Sequence, residues 1–191
     1  MMFSVKVSIF LLTFVFIIII SGCTETISDT ITEEKIKLLE NPSSTLSKVK
    51  VTTDGMLSAQ YDYPHPFGVG NEVLVDMTYY NQHDLSRGDI VVFKTKNLAD
   101  QETDIARIVG LPNEIVSINK GQVYINGKKL AAFYGNDSTS DKNASWDPVT
   151  LKENEYYILA DVRWRGLYDS QTAGPFIKQD IIGKVIGYDK Q

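Results

Sequence analysis

Few residue types in this chain are suited to chemistry near neutral pH, and they are thinly spread. There is one thiol, Cys23, and two imidazoles, His65 and His83. A zinc site takes about three or four protein ligands. Two histidines set apart in Pro-, Asn-, Gln- and Asp-rich loops do not supply such a set, so both read as turn or surface residues. No metal and no cofactor is expected. A lone cysteine leaves no disulfide within the chain, so packing and hydrogen bonds must hold the fold. Hydroxyl and carboxylate chemistry remains. Asp54 and Ser58 flank Gly55-Met56, and Asp169-Ser170 stand side by side later. A hydroxyl becomes a nucleophile only beside a base, so the elements that carry these residues decide what they can do.

Cys23 has a different reading, set by what precedes it. Lys6 is followed by an apolar stretch from Val7 to Ile20, then Ser21-Gly22-Cys23. An early cation, an apolar core and small residues before a break mark a secretory segment. One that ends Ile20-Ser21-Gly22-Cys23 is similar to a bacterial lipoprotein signal. Residues 1–22 are then removed, and the Cys23 thiol carries the lipid. The bland alternative is an uncleaved anchor, although the run is short against the roughly 20 residues that span a bilayer. Both readings place the remainder on the outer face of the cytoplasmic membrane, and the lipoprotein reading takes the Cys23 thiol out of any redox, metal or nucleophilic role.

The chain has 191 residues, enough for one domain with a real core beyond the signal. Acidic residues outnumber basic ones, 24 to 19, and no basic block stands out. A nucleic-acid partner is therefore excluded as the leading reading. Residues 23–50 are polar and read as a tether with room for one short helix, from a Thr30/Glu33 capping box with Ile31, Ile36 and Leu39. From Val51 on, short β runs replace them. These are Glu72–Met77, Asp89–Lys94, Asp104–Gly110, Glu114–Asn119, Gln122–Ile125, Lys129–Phe133, Tyr156–Ala160 and Asp180–Tyr188. Lys120-Gly121 and Asn126-Gly127 read as hairpin turns. Tyr134 to Pro148, rich in Ser, Asn, Asp and Gly, reads as a surface excursion. Residues 51–191 are thus expected to form one mainly β domain.

Four segments carry a family resemblance. They are Asp54-Gly55-Met56 with Glu72-Val73-Leu74-Val75; Arg87-Gly88-Asp89-Ile90-Val91-Val92-Phe93; and Ala106-Arg107-Ile108-Val109-Gly110-Leu111-Pro112-Asn113-Glu114 with Gly121-Gln122-Val123-Tyr124-Ile125-Asn126-Gly127. The fourth is Ala160-Asp161-Val162-Arg163, then Asp169-Ser170, then Ile181-Ile182-Gly183-Lys184. In order and spacing the chain resembles type I signal peptidase of Gram-positive bacteria (peptidase family S26), a membrane-bound serine protease with a Ser–Lys dyad. The resemblance spans about Val51 to Val185. It implies a signal-peptidase-like, LexA-like antiparallel β-sheet fold. It also implies peptide-cleft or supporting roles for Met56, Arg107, Asp161, Arg163, Asp169 and Ser170, with Asp161 and Arg163 as a charge pair at the core edge.

The departures fall on the chemistry. Gly55 stands where the resemblance places the nucleophilic serine, and Ala106 where it places the lysine base. Neither side chain can attack or take a proton. Ser58, Ser170 and Asp54 are the substitutes within reach in sequence, and Asp161 with Asp169 is a further pair to consider. Three functions follow. The leading expectation is a lipoprotein that is not an enzyme, binding or scaffolding a secreted or surface protein in the family's peptide cleft without turnover. The second is a signal peptidase I working through displaced residues. The third is a structural envelope protein with a filled cleft. Tyr61, Tyr63 and Phe67, with the loop near Met56, either meet the membrane or pack that loop.

Overall fold

A run of β-branched and aromatic residues between turn signals forms strands when its apolar faces can be covered. In the computed structural model, which describes residues 25–28, 36–57, 66–96, 102–136 and 144–190, such runs make thirteen strands. In chain order they are β1 (Thr26–Ile27), β2 (Lys37–Leu38), β3 (Ser47–Lys50), β4 (Glu72–Asp76), β5 (Ile90–Lys94), β6 (Thr103–Gly110), β7 (Ile115–Asn119), β8 (Gln122–Ile125), β9 (Lys128–Leu130), β10 (Trp146–Thr150), β11 (Glu155–Leu159), β12 (Phe176–Ile177) and β13 (Ile181–Tyr188). One short helix, α1 (Ser170–Ala173), follows β11. The described fold is mainly β.

Two sheets result. The smaller has the order β1-β9-β8-β7-β10. The larger runs β12-β11-β6-β5-β13-β4-β3, with β2 also on β13. Pairing is antiparallel except for β1 on β9 and β2 on β13. The expected turns form as their residues predict. Lys120 and Gly121 have φ of 51° and 80°, and Asn126 and Gly127 have 52° and 77°. Two consecutive positive φ values match the right-handed twist of a tight hairpin.

The core lies against the two central strands. Val91, Phe93, Ala106 and Ile108 pack with Ile158 and Phe176. Ile90, Val92 and Ile105 pack with Val51, Met56, Phe67, Val73, Val75 and Val185. Successive residues of a strand point to opposite faces, and on β5 both sets are buried, as its unbroken apolar run implies. A third cluster joins β6 and β11 to the smaller sheet through Val109, Tyr157 and Leu159 against Val116, Ile118, Val123 and Ile125.

Several expectations need correction here. The segment expected to be a polar tether carries β1, β2 and β3, which pair with β9, β13 and β4. The short helix expected around Thr30 and Glu33 falls mostly outside the described residues. The expected surface excursion contains buried Tyr134 and the start of strand β10, which pairs with β7. Backbone hydrogen bonds hold such short polar strands, and these leave little trace in the side-chain pattern. Met56 and Phe67 are each 2% exposed and belong to the core, so of the two readings for these residues packing holds and membrane contact does not. Tyr61 and Tyr63 lie outside the described residues. Among the described residues, no helix is long and apolar enough to cross a membrane.

Candidate active site

The turn Asp54-Gly55-Met56-Leu57 follows β3 and is closed by Leu57 N–H donating to Asp54 O at 3.0 Å. Gly55 is buried, and its carbonyl accepts from Val162 N–H at 2.9 Å, joining this turn to the segment after β11. A Cβ placed on Gly55 would stand 3.1 Å from Ala160 Cβ and 3.4 Å from Arg165 O. The space a side chain would need is therefore largely taken by the Ala160 methyl. Asp54 is exposed enough to reach solvent, but its carboxylate pairs with the Arg165 guanidinium at 2.9 Å.

Ala106, on β6, is 1% exposed among Val91, Phe93 and Ile108. The next residue, Arg107, is equally buried. Its Nε and Nη2 donate to the two oxygens of Asp161 at 2.8 and 2.7 Å, and its Nη1 donates to Gly88 O at 2.8 Å. The rings of Phe133 and Tyr134 lie 4.8 and 4.9 Å from its guanidinium carbon. A forked cation against a carboxylate, backed by aromatic faces, is the geometry in which arginine holds a buried charge well. The expected pairing of Asp161 with Arg163 does not form. Arg163 in fact donates to Ala160 O and Tyr134 O, both backbone carbonyls. Arg163 opens a 3₁₀ turn, and Arg107, on a strand distant in sequence, is the partner of Asp161.

Asp169 and Ser170 are turned toward backbone. Asp169 accepts from Ala160 N–H at 3.0 Å and Gln171 N–H at 2.9 Å, which caps α1. Burial pushes its carboxyl up to about 6, against the lowering effect of those two hydrogen bonds and of Arg163. Ser170 Oγ accepts from Ile158 N–H at 2.9 Å and is 3% exposed. Asp161 and Asp169 have separate partners and no hydrogen bond to each other. Ser58, His65 and Cys23 lie outside the described residues. His83 is exposed and stacked on Tyr79 at 4.2 Å. Among the described residues there is no group of three His, Cys, Asp or Glu suited to a metal.

One contact has no counterpart in the sequence analysis. Thr53 Oγ1 donates to Asp104 Oδ1 at 2.7 Å. Asp104 is 7% exposed, also accepts from Ile105 N–H, and is held above the ordinary carboxylate range by burial. The available signal was an acid near the start of the mostly apolar core strand Thr103–Gly110.

Comparison with known proteins adds to this geometry. Signal peptidase I of Leptolyngbya laminosa is 32% identical over 124 residues, covering 62% of this chain and 59% of that protein. Signal peptidase I S of Bacillus subtilis (strain 168) is 32% identical over 122 residues, covering 58% and 62%. The chain thus spans about three fifths of the length of these relatives. A crystal structure of a signal peptidase I from Enterococcus faecalis V583 superposes with a TM-score of 0.46 at 23% identity, over 54% of this chain and 97% of that one. The family model described as signal peptidase, peptidase S26, matches residues 58–188. Ala106 lies within that match and Gly55 just before it.

These findings correct the expectation that the chain is not an enzyme. That expectation rested on two positions, one of them outside the matched span, whereas relative after relative is named a signal peptidase I. With well over half of its length matched, including Arg107, Asp161, Asp169 and Ser170, the chain belongs to the signal peptidase family, peptidase S26.

Proposed function

We propose that this chain is a signal-peptidase-type endopeptidase that removes signal peptides from secreted or surface proteins at the outer face of the cytoplasmic membrane. In this reading hydrolysis uses groups other than those at positions 55 and 106. Cys23 carries a lipid that tethers the domain, and residues 1–22 are its signal. The observation that carries the reading is membership of the S26 family across residues 58–188. The supporting geometry is the retained scaffold of that span, the Arg107–Asp161 fork and the Asp169-Ser170 staples.

Gly55 offers no nucleophile and Ala106 no base, so the usual dyad is absent at these positions. Of the substitutes considered from sequence, Ser170 is buried and bonded to backbone, and Asp54 is tied to Arg165. Acyl transfer needs an oxygen nucleophile with a base in hydrogen-bond reach.

The test is cleavage of a secretory precursor by the purified full chain in detergent, beside an active family member. The expected result is processing above background at the signal-peptide junction. An inert chain that still binds precursor overturns the reading and replaces it with binding or scaffolding. An inert chain with no affinity for precursor leaves an envelope role unrelated to peptides.

A further inference from the structure

The segment that carries Gly55 and the strand that carries Ala106 meet two residues earlier on each. There, across 51 positions of sequence, Thr53 Oγ1 donates to Asp104 Oδ1 at 2.7 Å. We propose that Thr53 is the nucleophile and Asp104 its base, a hydroxyl–carboxylate pair displaced by two residues from Gly55 and Ala106. The proposal rests on the peptidase reading above and names the groups that would perform it.

Three observations support it. The first is the contact itself: a hydroxyl donating to a potential base at short distance is the arrangement that activates an oxygen nucleophile. The second is position. Thr53 is half-buried, two residues before Gly55, whose carbonyl accepts from Val162 in the segment after β11. The third is environment. Asp104 lies at the start of a buried strand, and desolvation raises its carboxyl, reinforced by the charge of Glu102 and opposed by the Thr53 and Ile105 hydrogen bonds. A base nearer the working pH accepts a hydroxyl proton more readily.

The steps balance without any further reactant than water. Thr53 Oγ1 forms a bond to the scissile carbonyl carbon as its proton passes to Asp104. The C–N bond breaks, and the amine leaves with that proton. Water adds to the Thr53 ester and gives a proton to Asp104. The ester C–O bond then breaks, and Thr53 Oγ1 takes the proton back. One peptide bond and one water yield an acid and an amine.

A purely structural tie between loop and strand would show the same hydrogen bond, so the test needs a readout that such a tie would not move. Precursor cleavage is measured for the full chain and for Thr53→Val, Thr53→Ser and Asp104→Asn, with thermal unfolding of each. Diisopropyl fluorophosphate then labels the active hydroxyl, and mass spectrometry locates the adduct. Thr53→Val and Asp104→Asn should each lower kcat/KM by at least about 100-fold. Thr53→Ser should retain cleavage, and the adduct should sit on residue 53. Cleavage by Thr53→Val at the parent rate, or an adduct on another residue such as Ser58, overturns the pair and leaves the peptidase reading intact. A parent chain that cleaves nothing overturns both. Should Thr53→Val fail to fold, Thr53→Ser and the adduct position decide the matter.

Discussion

The segment from Ile158 to Gly174 and the stretch from Thr53 to Leu57 both hold polar groups beside buried backbone, yet they use them differently. In the first, the functional-looking side chains are bonded to the fold. Ser170 accepts from Ile158 N–H, Asp169 from Ala160 and Gln171 N–H, and Arg163 donates to two carbonyls. In the second, Thr53 and Asp104 bond to each other, and Thr53 stays partly open to solvent. A group whose hydrogen bonds all go to backbone positions the chain. A hydroxyl that faces a carboxylate near the surface retains the option of exchanging a proton. Asp169-Ser170 resembles chemistry in sequence and acts as architecture in the structure, whereas Thr53 and Asp104 show no motif and yet meet.

The largest expected effect sharpens the architectural side. Asp161→Ala leaves the Arg107 guanidinium buried without its carboxylate, a change that costs about 3–5 kcal/mol. Denaturant unfolding should show a loss of that size, and a loss below about 1 kcal/mol would mean that Arg107 finds another acceptor.

Next comes the pH dependence of Asp169. Its carboxyl in the fold is raised from 3.8 to about 6, so its favourable contribution is present at low pH and is lost as pH rises through about 6. The stability of the parent chain relative to Asp169→Asn should therefore fall between pH 4 and 7, by about 3 kcal/mol. A pH-independent difference between the two would show that the backbone hydrogen bonds offset the burial.

The smallest effect lies at the turn. Gly55→Ser must push against Ala160 Cβ, at 3.1 Å from the new Cβ, and overpacking of this kind costs about 1–3 kcal/mol. Ala160→Gly on that background should recover much of the loss, because it removes the methyl group that the new side chain meets. Strictly additive effects in the double-mutant cycle would show that the two positions do not compete for space.

Much of the fold was legible without coordinates. Glu72–Met77, Asp89–Lys94 and Tyr156–Ala160 lie within a residue of β4, β5 and β11 because apolar runs between turn residues have few other ways to bury themselves. The short strands β1, β2, β3 and β10 were not legible. They are polar, and their partners are chosen by where other strands end.

The site divides along the same line. By itself the sequence determined which groups are absent: no side chain at 55 to attack, none at 106 to accept a proton, and no second thiol. It also determined the order of motifs that the family match reflects. Only the tertiary structure decided partners. Asp161 met Arg107 rather than nearby Arg163, and Thr53 met Asp104 from 51 residues away. Spacing along a chain fixes neighbours only within one element, while charge and hydroxyl partners are set by which strands lie side by side. That choice depends on the packing of the whole core.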